Sequence, residues 1–436
     1  MHTRLLQAFA TVALLAASPA SSAASDDPLV VHEWGTFTTV HGADAEQLWW
    51  MPPTSLDLPD FVHRSQMSGN FSSKAVYHPK DVAALARMET PVIYFYSQRE
   101  RVVDVSVLFR GGIVTEWYPQ GSRVESQATQ DMAAAHTRQF LVQWNGLTIL
   151  PRNTQEMTLD KLIRSAAGEG DHYYVARETD ANFLRVSSAT TQRSAEYERD
   201  LFYRGLGYFQ APLGVAVDAD EQLVSLNARE AEPIQAAFLL TIRDGMMRYQ
   251  EVGEAVANAA STVESDAAPF GALQSMRKLA MRDMARALVD AGLYEKEARA
   301  MVNTWQDQWF AEQGTRVLYL LPRAWTDRTL PLRISPQPDS VVRVMVGRAE
   351  LITPSVEREL RQQILTFRNG DAAAQSQAID VVVALRLGRF LRAAITKATQ
   401  GEDDQQLMRA AWELAGAADA VAAAASARED ARSARN

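Results

Sequence analysis

The apolar residues change their period near residue 231, and that change restricts the fold more than any other feature of the chain. From Asp26 to about residue 230 the pattern is strand-like. Val103, Val105 and Val107 alternate with Asp104 and Ser106, the period-two mark of a half-buried strand. Val92 to Tyr96 is rich in β-formers, Gly111-Gly112 marks a turn, and Ile113 to Tyr118 alternates again. The stretch 103–118 therefore reads as a hairpin of two strands around a glycine turn. Gln139 to Trp144, Leu147 to Leu150, Tyr173 to Arg177 and Phe183 to Val186 are weaker strand candidates, and so many short strands point to an antiparallel sandwich.

Beyond residue 231 the period becomes helical. Met276, Leu279, Ala280, Met284, Ala287 and Leu288 share one helix face within 274–290, and Gly292 suits the left-handed stop. Ala298, Met301, Val302, Trp305 and Trp309 form the stripe of a second helix ending at Gly314, which makes an antiparallel helical hairpin. Strands return at Arg316 to Leu321 and Val341 to Ile352 and are expected to complete the earlier sheet system. Thr353-Pro354 opens a helical region expected over 355–367, 374–399 and 404–424, and Ala257 to Ala268 reads as a linker or exposed loop. The expected fold is thus α+β: an N-terminal antiparallel β-sandwich-like region with an inserted helical hairpin and a C-terminal helical region. The expected parts are 1–24, a leader; 25–256, β-rich; 257–352, the hairpin with strands that complete the β-rich part; and 353–436, helical.

Composition narrows the function. Forty-four Lys and Arg against 53 Asp and Glu give a net charge of -9, which lacks the basic footprint of nucleic-acid binding. The absence of cysteine among 436 residues excludes disulfides, thiolate zinc sites and a Cys nucleophile. At the start, Arg4 precedes an apolar run from Leu5 to Ala17, then Ser18-Pro19 and small residues to Ala24. This is the layout of a signal peptide cleaved after Ala23 or Ala24, and it places the mature chain in the periplasm or outside the cell. No later stretch is apolar for 18 residues, so no span is expected after signal removal.

Six histidines follow the leader, at 32, 41, 63, 78, 136 and 172, and any imidazole site must therefore lie in the β-rich part. In the run His32-Glu33-Trp34-Gly35-Thr36-Phe37-Thr38, a strand would point His32 and Trp34 one way and Glu33 the other. A helical zinc protease needs a second histidine at position 36, where Thr36 stands. His32 with His41, completed by Glu116 or Asp44, is the candidate set for a divalent metal, the one cofactor these residues raise. Glu116-Trp117-Tyr118 puts a carboxylate beside two aromatics, as at a sugar-binding rim. Arg343 and Arg348 are candidates for an anion, with pairing to Glu350 the simpler account. There is no Gly-x-Ser-x-Gly, against the serine hydrolases built on a nucleophile elbow.

The run at 32–38, placed just after a leader, resembles the signature of an uncharacterised family of exported bacterial proteins. Met88 to Tyr96, Thr115 to Pro119 and Arg343 to Arg348 resemble other segments of it. The resemblance implies export and a shared fold, with no activity, substrate or cofactor to carry over. The expected role is a binding or structural module of the bacterial envelope, its partner an envelope protein or glycan. The alternative is a metal-dependent or carboxylate-based hydrolase acting on an envelope or extracellular polymer. The candidate residues are His32, Glu33, Trp34, His41, Glu116 and Tyr118.

Overall fold

The computed structural model describes residues 27–52, 58–65, 83–127, 139–151, 171–187, 195–255 and 261–433. The expected leader and the histidines at 78 and 136 lie outside the described residues. The protein is mixed α+β, built on a ten-stranded sheet. Across it run Gly271–Ala272, Met246–Glu251, Ala237–Arg243, Gly314–Leu320, Ser340–Leu351, Val30–His41, Ala86–Tyr96, Leu201–Gly207, Gly112–Tyr118 and His63–Arg64. A six-stranded and a three-stranded sheet accompany it.

The two central strands are the longest and the most covered. Val30–His41 lies parallel to Ser340–Leu351, with Glu33 opposite Arg343 and Thr38 opposite Arg348. This departs from the all-antiparallel expectation. Parallel neighbours need a long crossover, and here 298 residues separate the two strands. A strand covered on both faces must be apolar or must neutralise its charges locally. These strands do the second.

One face of the large sheet shares an apolar layer with the other sheets: Val31, Phe37, Ile93 and Met345 meet Val105, Phe109, Val142 and Trp144. The opposite face, with Trp34, Tyr94, Leu318 and Val344, is covered by the helices Leu273–Asp290 and Glu295–Phe310. A third apolar cluster joins Val40, Leu48, Trp50 and Ile352 to the helices Pro354–Asn369, Ala372–Ala384, Leu391–Ala398 and Gln405–Ser433. Among the described residues no helix is long and apolar enough to cross a membrane.

Four local expectations need correction. Arg101–Arg110 and Gly112–Tyr118 are not hairpin partners: the first pairs with Gln139–Ile149, the second with Leu201–Gly207. Gly111, at a positive φ of 65°, turns the chain from one sheet into the other, because both strands have apolar faces to bury. Tyr173 to Arg177 belongs to a helix, Asp171–Val175, and its following turn, because Tyr173 and Ala176 fall on one buried side at helical spacing. Ser261–Glu264, inside the expected linker, pairs with Leu223–Ala228. The expected helix over 374–399 is broken where Arg386 and Gly388 take φ values of 51° and 49°.

The glycine of the 32–38 run has a steric reason. Opposite it, Ala86–Tyr96 carries a bulge, with Thr90 at a φ of 49° and Pro91 pressed inward. A Cβ on Gly35 would stand 2.8 Å from Pro91 Cα, closer than carbon atoms approach without displacement.

Candidate functional site

The two histidines of the candidate metal set are placed far apart. His32 and His41 stand nine positions apart on one strand. At 3.3 Å per residue that is about 30 Å, so no single ion touches both. His32 faces the helical layer, where Nδ1 lies 2.7 Å from Glu297 Oε2, and Tyr96 donates to Glu297 Oε1 at 2.6 Å. The backbone N–H of Tyr294 donates to Glu297 Oε2 at 2.7 Å, and the Tyr294 ring covers the imidazole at 4.4 Å between centroids. Glu297 thus ties the start of its own helix to two side chains of the sheet.

Glu33 faces the opposite way, as alternation requires. It accepts from Tyr203 Oη at 2.5 Å and from Arg343 Nε. Trp34 is fully buried beside Tyr94. His41 is fully buried, with Nε2 2.9 Å from Thr39 Oγ1. Burial, and then the positive charge of Arg229, hold its pKa down to about 3, so it is neutral at ordinary pH.

Glu116 pairs with Arg204 Nε at 3.1 Å inside the sheet and is 2 % exposed. Tyr118 is fully buried and Trp117 nearly so, which leaves no open aromatic rim there. Burial raises the Tyr118 hydroxyl pKa well above the usual phenol value. His63 stacks on Trp117 and Tyr118 and reaches Glu196 at 3.2 Å, four strands away from Val30–His41. Among the described residues no three histidines or carboxylates converge in a way that would hold a metal. The arginine expectation divides: Arg348 pairs with Glu350 at 2.7 Å, while Arg343 pairs with Glu33 instead.

What the fold does assemble is a polar cleft where the first strand's exit loop meets the C-terminal helices. Its cavity is about 370 Å³ and is lined by Ala43, Asp44, Glu357, Arg358, Arg361, Lys397, Ala398 and Gln400. Lys397, with a side chain only 8 % exposed, donates to Asp44 Oδ2 at 2.8 Å, Glu46 Oε2 at 2.9 Å and Gln400 Oε1 at 2.7 Å. Two helical turns build this wall: Lys397 sits in the last turn of Leu391–Ala398, Glu357 in the first turn of Pro354–Asn369.

The two carboxyl groups of the cleft are driven apart in acidity. Partial burial pushes Asp44 up, but the Lys397 hydrogen bond and charge outweigh it and hold Asp44 below the usual range. Burial, helped by the Asp44 charge, raises Glu357 above it. One group that stays ionised beside one that protonates more readily is the arrangement acid–base chemistry uses. Sequence reading missed Glu357 and Lys397 because each looks like an ordinary charge on an amphipathic helix. The packing of the two helices on each other, with the loop 42–47 folded against both, makes them neighbours.

No family model matches the chain, and no curated protein matches it in sequence. Two solved structures of the yeast delta-COP-I mu-homology domain are similar in part. One, of the domain itself, has a TM-score of 0.26 at 6% identity and covers 76% of this chain and 100% of that one. The other, complexed with a Dsl1 WxWxV peptide, has a TM-score of 0.24 at 5% identity and covers 74% and 96%. Likeness at that level transfers neither fold nor function.

Proposed function

We propose that the protein is an exported binding module of the bacterial envelope, and that the cleft around Lys397 holds a polar, hydroxyl-rich ligand such as an envelope glycan. The observation that carries this reading is the cleft's lining. It offers hydrogen-bond donors and acceptors of both charges at a junction of structural layers, where ligand sites concentrate. The resemblance of the 32–38 run to an exported family supports the location. The finer architecture belongs to the same reading: two sheets sharing one apolar layer as a sandwich, with the helical pair inserted between strands of the larger sheet.

The test is co-sedimentation of the mature protein with purified, insoluble envelope glycan. Retention is expected, and it should weaken about tenfold in Lys397→Ala. A wild-type protein that stays in the supernatant at every glycan concentration would refute the reading.

The split acidities of Asp44 and Glu357 favour a second reading, a carboxylate-based hydrolase using Glu357 as proton donor. It predicts new reducing ends released from the same glycan, abolished in Glu357→Gln. Binding without release leaves the module reading alone.

A further inference from the structure

A second cavity differs in its chemistry from the Lys397 cleft. It measures about 260 Å³, and Arg323, Asp327, Leu332, Arg333, Val341 and Arg343 contribute to its lining. Three of these are arginines against a single carboxylate. The helix Arg323–Thr329 supplies one wall, the strand Leu332–Ser335 another, and the central strand Ser340–Leu351 the floor.

Arg343 is the floor's charge, with its side chain 1 % exposed. Its Nε donates to Glu33, and its Nη1 donates to Asp327 Oδ1 at 2.7 Å. Its Nη2 is buried with no hydrogen-bond acceptor among the described residues. A charged donor left without an acceptor in the interior is costly, and few are tolerated unless something fills the gap. Arg323 donates through Nε to the other oxygen of the same carboxylate, Asp327 Oδ2, at 2.8 Å. Asp327 is thus gripped by two guanidinium groups, yet its own side chain is 46 % exposed. Arg333 stands at the rim, and its side chain makes no hydrogen bond or ion pair among the described residues.

We propose that this pocket is a phosphate site in which Arg343, Arg323 and Arg333 grip a tetrahedral oxyanion at the place now taken by the Asp327 carboxylate. Asp327 marks where two ligand oxygens belong, because its own oxygens already satisfy Arg343 and Arg323 there. The half-exposed side chain turns outward to solvent, and the oxyanion takes Nη1 together with the idle Nη2 of Arg343. Charge selects the ligand. With Asp327 displaced, three arginines face one fixed carboxylate, Glu33, an excess of two positive charges that matches a dianion better than a carboxylate. Leu332, Ile334 and Val341 form the apolar wall of the pocket, and the burial of Arg343 strengthens the charge-assisted bonds it makes. The ligand can be free inorganic phosphate or the phosphate group of a small monoester, since the pocket is too small for a bulkier ligand to be enclosed.

The test is thermal unfolding and calorimetric titration of the mature protein with inorganic phosphate, with acetate and chloride at matched ionic strength as controls. Phosphate is expected to raise the Tm saturably while acetate and chloride do not. Arg333→Ala, at an exposed position without partners, should fold normally and bind phosphate about tenfold more weakly. Asp327→Asn, which removes the competing carboxylate charge, should bind more tightly, a gain that a purely structural role would not produce. Comparing inorganic phosphate with a small sugar phosphate separates the two sources. The proposal is overturned if chloride or acetate stabilises as well as phosphate, or if Arg333→Ala binds phosphate unchanged.

Discussion

Arg348 and Arg343 sit five residues apart on one strand, point to opposite faces, and are completed in opposite ways. All three guanidinium nitrogens of Arg348 have an acceptor. Its Nε and Nη2 reach Glu350 at 3.0 and 2.7 Å, its Nη1 reaches the Gln308 carbonyl at 2.7 Å, and Glu312 adds a contact at 2.6 Å. Arg316 shares Glu350 and also binds the carbonyls of Gln308, Trp309, Glu312 and Gln313, closing the end of the helix Glu295–Phe310. Those carbonyls have no partner inside the helix, so the guanidinium takes over a capping role. Burial, partly offset by Glu350, brings Arg316 down to about 10, still charged at neutral pH. Around Arg343, one carboxylate is buried, the other is half-exposed, and one nitrogen lacks an acceptor among the described residues. The difference teaches that the same residue on the same strand is structural where the surroundings close on it and available where they do not.

The strongest way to break that comparison is to remove the carboxylate shared by the closed cluster. Glu350→Ala takes their shared carboxylate from two fully buried guanidinium groups and should cost about 3–5 kcal/mol in urea denaturation. A loss below about 1 kcal/mol would show the cluster to be as loose as its counterpart. Glu33→Gln keeps the shape of the other cluster and an acceptor for Tyr203, so its cost should be smaller, about 1–3 kcal/mol by the same measurement.

His41 gives the comparison a pH axis, because it is a buried group kept neutral rather than paired. Its folded pKa of about 3 lies below the unfolded value of 6.5. The unfolded chain therefore binds the proton first as the pH falls, and stability is lost through the window from 6.5 to about 3. The slope has an upper limit of about 1.4 kcal/mol per pH unit. His41→Asn should flatten that limb, and an unchanged slope in equilibrium unfolding from pH 7 to 4 would exclude this histidine as its cause. The smallest effect is expected at Arg333, where alanine should leave stability within about 0.5 kcal/mol. A larger loss would mean that the rim of the second cavity is already engaged.

Much of the fold was legible where pattern alone decides. The helices Leu273–Asp290 and Glu295–Phe310, the strands Gly314–Leu320 and Ser340–Leu351, and the start of Pro354–Asn369 lie within a few residues of where apolar period and capping residues put them. The opposed faces of His32 and Glu33 followed from strand alternation. Which strands pair did not. The partners of Arg101–Arg110 and Gly112–Tyr118 depend on long-range packing between sheets, and nothing local to Gly111 reveals it. The candidate site failed for the same reason. His32, Glu33, Glu116 and Tyr118 were prominent because titratable and aromatic residues are conspicuous in a strand, and the sheet uses them internally. Asp44 lies more than 300 residues from Glu357 and Lys397 along the chain, and only the docking of the C-terminal helices against the loop 42–47 gathers the three.

The most direct measurement is paired urea denaturation of Glu350→Ala and Asp327→Asn, each removing a carboxylate that holds a buried arginine. A loss of about 3 kcal/mol or more for the first and at most about 1 kcal/mol for the second would match one closed cluster and one open one. Equal losses would contradict the account, because Asp327 would then be as much a part of the folded core as Glu350.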